Sequence, residues 1–433
     1  GMIERTRDQL SAKLNEVSFV FGGRMLCPYL RPHFVGRHQF NYATEVCERL
    51  WQSMLKVGDL AVGDTALLDY LGVTEIERKL IAFDPGYKGV SRTSRLDSFL
   101  TDSSFQFVEL NAETPAGIAY SDVASEIFQS FEVMAKLQEQ YRLTPLSGRE
   151  DMLSVLLSAY AEFAGPSAPK PKIAIVDYRG LPTQREFELF KEYFESRGYQ
   201  TAIVDPRDLE FSGGRLRHGD FVIDVIYKRV LVNEFLEKID ECQALLKACE
   251  ARAVCMVNSF RGKLIHKKLL FGVLTDEKFE HYFPAEEREF ISRHVPWTRR
   301  VEERKTQYKG AAIDLMEFIR RNRDKLVLKP NDEDGGKGIF VGWQCDESQW
   351  EAALNSSLGA DYLVQERVVT AREEFPYICE DGSVAFADQL VDLDPLLFDG
   401  KVGSAFTRLS VSELANVTAG GGMVPVFIVE GRT

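Results

Sequence analysis

The sequence does without most of the features that would sort it quickly. Its seven cysteines, at 27, 47, 242, 249, 255, 345 and 379, never stand in Cys-x-x-Cys spacing and are odd in number, which argues against a disulfide framework and suits a reducing cytoplasm. No apolar run reaches the roughly 18 residues that a membrane-spanning helix needs, and the N-terminus lacks a signal-peptide core, so a soluble cytoplasmic protein is expected. Gly1 ahead of Met2 reads as a residue left by expression and is set aside. Internal repeats and low-complexity segments are missing, and so is the G-x-x-x-x-G-K-[ST] phosphate loop. Basic charge is in short supply: 66 Asp and Glu against 53 Lys and Arg leave a net charge of -13, which disfavours a general nucleic-acid binder, although an anionic small molecule can still find a local basic pocket.

What is present is enough chain for two to four domains, with 45% hydrophobic residues over 433 positions. The most informative stretch is Ser94–Gly117. Arg95-Leu-Asp97 alternates, so Arg95 and Asp97 point to one face of their strand, and Phe107-Val-Glu109-Leu-Asn111 also alternates, aiming Glu109 and Asn111 together, with a short loop at Thr101–Ser104 joining the two strands into a hairpin. Asp, Glu and Asn oxygens are hard ligands of the type that hold Mg²⁺. Arg95 beside them suits a phosphate oxygen. The same alternation also describes an ordinary hairpin with a solvated polar face.

Residues 3–20 and 40–82 read as amphipathic helices, and Cys27–Phe34, with two prolines, as an irregular segment. Ala119–Leu143 and Glu150–Phe163 read as helices, followed by a Pro-rich linker. Lys172–Asp177, Thr183–Gly198 and Gln200–Asp205 then form a β-α-β unit, with a further strand at Phe221–Arg229. The first turn of this unit has one glycine, Gly180, instead of G-x-G-x-x-G, which disfavours a nicotinamide enzyme. Tyr178, Arg179, Thr183, Lys228 and Arg229 lie where such sheets meet ligands, with Arg31 and His33 as further candidates.

The second half of the chemistry follows Asn258. Lys267 and Lys268 open an apolar helix, and one of them is placed to reach a phosphate. Lys329 sits in the apolar strand Lys325–Pro330 ahead of a turn with Gly335, Gly336, Lys337 and Gly338; a lysine there asks for an anion, and glycines let backbone N–H groups approach one. Asp361–Val368 is a strand that exits through Gln365 and Glu366. Arg408 emerges from the strand after Lys401, and the tail offers a glycine loop around Asn416–Gly422.

Taken in order, Arg95-Leu-Asp97, Glu109-Leu-Asn111, Asn258–Leu274, Lys329 with Gly335–Gly338, Gln365-Glu366 and Arg408 resemble the ATP-grasp ligases, with the metal carboxylates first rather than last. The sequence therefore resembles the circularly permuted ATP-grasp family, and within it the synthetase domain of glutathionylspermidine synthase. The resemblance implies an α/β fold: a circularly permuted ATP-grasp with an additional doubly wound three-layer α/β substrate domain and N-terminal helices. It divides the chain into residues 1–165, carrying the metal hairpin, 166–260, the substrate domain, and 261–433, the nucleotide-binding half. It implies ATP and Mg²⁺ as cofactors, with Asp97, Glu109 and Asn111 on the metal and Arg95 and Arg408 on the transferring phosphate. Lys268, Lys329, Gly335, Gly336, Lys337 and Gly338 would take the nucleotide phosphates, and Gln365 and Glu366 the adenine hinge. The activity implied is an ADP-producing carboxylate–amine ligation through an acyl phosphate, with small-molecule acid and amine substrates and neither nucleic acid nor membrane as partner. No Cys-His amidase domain of the glutathionylspermidine synthase type precedes Arg95, so a bifunctional enzyme is not expected. The alternative is a catalytically inactive nucleotide-binding protein that senses or scaffolds.

Overall fold

The computed structural model describes residues 1–412 and 421–431. Its central feature is a largely antiparallel sheet in which His33–Gly36, Gly422–Gly431, Lys401–Ser410, Val384–Phe398, Thr93–Leu100 and Phe105–Asn111 lie side by side, with Ala371–Ile378 and Tyr141–Pro145 added along it. Residues from the first third and the last seventy of the chain thus share one sheet. Helix Arg37–Ala61 covers one face, its Leu50, Trp51 and Met54 buried with Leu96, Leu110 and Leu397 of the sheet. Helices Ile118–Gln129 and Gly148–Ala164 cover the other, where Ile118, Val123 and Leu156 share a core with Phe406, Val424 and Phe427.

Residues 40–82 form three helices rather than continuous ones, because polar caps intervene. Asp64 accepts from Leu67 N to start Thr65–Tyr70, and Thr74 with Glu77 makes a capping box that starts Glu75–Ile81. The helix expected over Ala119–Leu143 ends at Gln129, a short helix Glu132–Gln138 follows, and Tyr141–Pro145 instead pairs antiparallel with Phe427–Gly431. Cys27–Phe34 is irregular only in part, since His33 begins a strand parallel to Val426–Val429. In these last two cases a partner strand elsewhere in the chain overrides local preference.

The β-α-β unit is present. Four parallel strands, Cys255–Val257, Val225–Lys228, Ile173–Val176 and Thr201–Val204, form its sheet, and helix Gln184–Ser196 makes the crossover. Residues 221–229 divide, with Phe221–Val222 pairing into a small antiparallel sheet of its own. A fourth body of structure, Thr298–Arg300, Tyr362–Glu366, Leu326–Pro330 and Phe340–Val341, is antiparallel and packs on Trp350 and Leu354. Among the described residues no helix is long and apolar enough to cross a membrane.

Candidate active site

The hairpin forms as the alternation requires: Arg95 pairs with Asn111 and Asp97 with Glu109. Strict alternation would put Phe107 on the same face as Glu109. A bulge prevents this, because Ser98 pairs with Phe107 and Val108 has no opposite residue. Phe107 is consequently buried in the core while Glu109 and Asn111 line a cavity. The bulge also turns the Val108 carbonyl toward Lys329, whose Nζ donates to it at 3.2 Å.

Asp97 is the centre of the charge cluster. Arg95 donates to both its oxygens, at 2.8 and 3.2 Å, Arg408 Nη2 donates at 2.7 Å, and Asn111 Nδ2 at 3.2 Å. Burial alone would raise the Asp97 carboxyl, but Arg408 and then Arg95 hold it down at about 2. Two acids unforeseen in the sequence complete the group: Asp392 and Asp394, whose carboxylates come within 4.8 Å of Asp97. Arg408 Nη2 also bonds Asp392, its partner across the strand pair. Arg408 Nε lies 2.8 Å from Asp394, yet out of line for a hydrogen bond, and both Asp394 oxygens are buried without one. Burial, only partly offset by Arg408, pushes Asp392 up to about 6 and Asp394 well above the ordinary range. The signal for these two was the alternating Asp392-Leu-Asp394, on a strand that runs on to Phe398 rather than ending near Val391.

Of the lysines expected near phosphate, Lys267 and Lys268 lie outside the cavity lining. Lys268 Nζ lies 3.1 Å from Glu109 and donates to the Glu333 carbonyl at 2.6 Å, whereas Lys267 is held by Glu77 and Asp332, at 3.0 Å each. Lys329 lines the cavity and donates to Gln365 Oε1 at 2.7 Å. Burial pushes Lys329 down to about 8 against the pull of Glu109, while Glu109 overcomes burial to raise Lys268. Gly335 and Gly336 line the cavity with φ of 68° and 76°, a backbone region in which glycine is favoured. Lys337 does not join them: its side chain is 79% exposed and 3.6 Å from Glu333. Gly338 is also outside the lining, seated against Tyr362. Gln365 and Glu366 line the cavity, with Glu366 accepting from Tyr308 Oη at 2.6 Å.

The cavity holds about 510 Å³ and continues to the carboxyl ends of the parallel strands, where Thr183 and Arg229 line it. Both Nη atoms of Arg229 are held by neighbours while its buried Nε has no acceptor, and Tyr178, Arg179, Lys228, Arg31 and His33 lie outside the lining. Arg179 pairs with Asp208 at the surface, and Arg31 with Glu373. Glu186, from the crossover helix, accepts from Gly117 N at 2.9 Å and Ala119 N at 3.1 Å and so fixes the segment after Asn111. The glycine loop expected around Asn416–Gly422 falls mainly outside the described residues, with Gly422 opening the last strand.

The cavity is thus walled by two strand systems, with carboxylate and amide oxygens on the hairpin and Lys329 and a glycine turn among the other lining residues. The sequence matches the family model described as a circularly permuted ATPgrasp over residues 97–365, and the chain belongs to that family. Among solved structures it is similar to a glutathione synthetase-like effector from Globodera pallida in its apo form, with a TM-score of 0.63 and 14% identity over 98% of this chain and 96% of that one. A putative gamma-glutamylcysteine synthetase from Methylobacillus flagellatus aligns with a TM-score of 0.43 and 12% identity, over 90% and 86% of the two chains. No curated protein sequence matches.

Proposed function

We propose that the protein is an ATP- and Mg²⁺-dependent carboxylate–amine ligase that forms an amide through an acyl phosphate. The observation that carries the reading is the meeting of Asp97, Glu109 and Asn111 with Lys329 and Arg408 around one cavity. The donor set is all oxygen, with Asp97 buried and Glu109 and Asn111 half-buried on the cavity wall, and beside Asp97 the buried Asp394 carboxylate lacks a hydrogen bond; these features fit a hard divalent cation. When bound, ATP and Mg²⁺ would supply the electrophilic phosphoryl group.

The chain's own residues account for the rest. Asp97, Glu109 and Asn111 would hold the metal, while Lys268 and Lys329 with the Gly335–Gly336 backbone would grip the nucleotide phosphates. Arg95 and Arg408 are fixed by carboxylates before any ligand arrives, so their charge is preorganised toward oxygens that become more negative during transfer. Gln365 and Glu366 stand at a strand end suited to an adenine edge. Lys337, by its exposure, is assigned no nucleotide contact. No side-chain nucleophile is needed: burial raises the thiols of Cys27, Cys47, Cys249 and Cys255 away from reactivity.

The test is ADP release from ATP with Mg²⁺ and pooled carboxylic acids and amines. Release that needs both an acid and an amine supports the ligase. ATP binding with no turnover over broad panels would instead favour a nucleotide-binding sensor or scaffold.

A further inference from the structure

The part of the cavity wall supplied by the parallel α/β sheet has its own chemistry. Asp177 follows strand Ile173–Val176, Arg229 and Leu231 follow Val225–Lys228, and Glu234 lies just beyond; all four line the cavity. The cation among them has both Nη atoms engaged within the protein, and its Nε, which has no acceptor, is buried away from the surface. Arg229 donates from Nη2 to Glu186 at 3.0 Å and from Nη1 to the Pro115 carbonyl and Tyr227 Oη at 2.9 and 3.0 Å. Lys228 turns to the Val230 carbonyl, at 3.0 Å, and toward Glu113, at 3.8 Å.

Asp177 is therefore left as a carboxylate with no cation. It is only 7% exposed, one oxygen accepts from Tyr178 N at 2.8 Å, and no ion pair reaches it or Glu234 among the described residues. The surrounding lining is apolar, with Phe21, Leu26, Tyr120, Leu181 and Pro182. A Cβ added to Gly22 would sit 3.8 Å from Pro182, so the ribbon Val20–Met25 meets the loop that follows Asp177. A buried carboxylate facing a cavity without a counterion is costly unless a cation arrives from solution.

We propose that this wall is the acceptor-amine subsite, that Asp177 together with Glu234 receives the ammonium group of an amine with an apolar carbon skeleton, and that the subsite disfavours amines bearing an α-carboxylate. The proposal rests on the ligase reading above and names the class of its nucleophile. With Arg229 committed to Glu186, an α-carboxylate here would meet two acids and no free cation. The titration of Asp177 agrees: burial first, with Glu234 adding, raises its carboxyl to about 7 against Arg229 and Lys228, and an ammonium ion at the site would restore the ionised form.

Two probes of equal chain length separate the alternatives, n-pentylamine and norleucine, which is pentylamine with an α-carboxylate. Each is titrated into the full chain by saturation-transfer NMR, with and without ATP and Mg²⁺, while ATP binding is followed separately by calorimetry. Pentylamine is expected to bind at least about tenfold more tightly than norleucine, and Asp177→Asn to weaken it by about tenfold with ATP affinity unchanged. Glu234→Gln, half-buried and outside every ion pair, should weaken it in the same direction and serves if the Asp177 variant does not fold. Norleucine binding equal to or tighter than pentylamine, no amine binding in either condition, or variants that bind pentylamine like the wild type would overturn the proposal. Loss of the ligase reading looks different: ATP then fails to bind, or binds without ADP release over the acid and amine panels, whatever pentylamine and norleucine binding show.

Discussion

Replacing Arg408 with glutamine would leave Asp97, Asp392 and Asp394 facing one another, at 2%, 2% and 0% exposure, with their oxygens within 4.8 Å. Removing one partner of a buried ionic group costs about 3–5 kcal/mol, because the charges left behind stay desolvated. Arg95 still holds Asp97, so the lower half of that range is expected. A divalent cation can replace the lost guanidinium. At a concentration about 100 times its dissociation constant, Mg²⁺ would return about 2.7 kcal/mol. Urea denaturation of wild type and Arg408→Gln, with and without Mg²⁺, reads both quantities. The pH dependence has a defined sign: a carboxyl raised in the folded state stabilises it most when protonated, and loses that contribution as pH rises through its folded value. Asp392 is already raised from 3.8 to about 6, so the variant's deficit should shrink between about pH 7 and pH 5. A variant within about 1 kcal/mol of wild type, or Mg²⁺ stabilising both proteins equally, would refute the reasoning.

Three further outcomes are expected. Lys329 is lowered from 10.5 to about 8, and phosphate binding wants its charged form, so ATP affinity measured by calorimetry should fall above about pH 8, by up to about tenfold per unit. Glu113→Gln takes the carboxylate away from Lys228 and Lys263, each 1% exposed and 3.8 and 3.1 Å from it, and because Lys263 keeps Asp332 and Asn233 while Lys228 keeps only the Val230 carbonyl, the cost in urea melts should be about 3 kcal/mol. In the wild type Glu113 is held down at about 2 from 4.5 despite burial, chiefly by Lys263, so its stabilisation is complete above about 4.5 and disappears as pH falls toward 2. Gly336→Val places a β-branched residue at φ 76° beside the cavity and should weaken ATP binding far more than it lowers the melting temperature.

The hairpin was legible because its polar residues are spaced by two along short strands, and pairing of Asp97 with Glu109 needs only a local turn. The bulge at Val108 was not legible: one extra residue leaves no mark in an alternating pattern until the partner strand is known. Asp392 and Asp394 were missed for a related reason. They alternate with Leu393, but their role depends on Asp97, nearly 300 positions away, being the next strand in the sheet. Among Lys267, Lys268, Lys329 and Lys337, sequence spacing could not separate structural from ligand-facing ammonium groups. Their partners separate them, since Lys267 is tied to Glu77 and Asp332, Lys337 is in solvent, and Lys268 and Lys329 lie against the hairpin. At the end of the first parallel strand, attention fell on Tyr178 and Arg179, whose side chains turn to Glu234 and Asp208, while Asp177 turned out to line the cavity.

The most direct measurement is calorimetric titration of ATP, with and without Mg²⁺, into wild type and Glu109→Ala. Metal-dependent binding in the wild type that falls by at least about tenfold in a variant that remains folded is what a metal-and-phosphate site on the hairpin predicts. Equal binding by both proteins, or no binding by either, would contradict it.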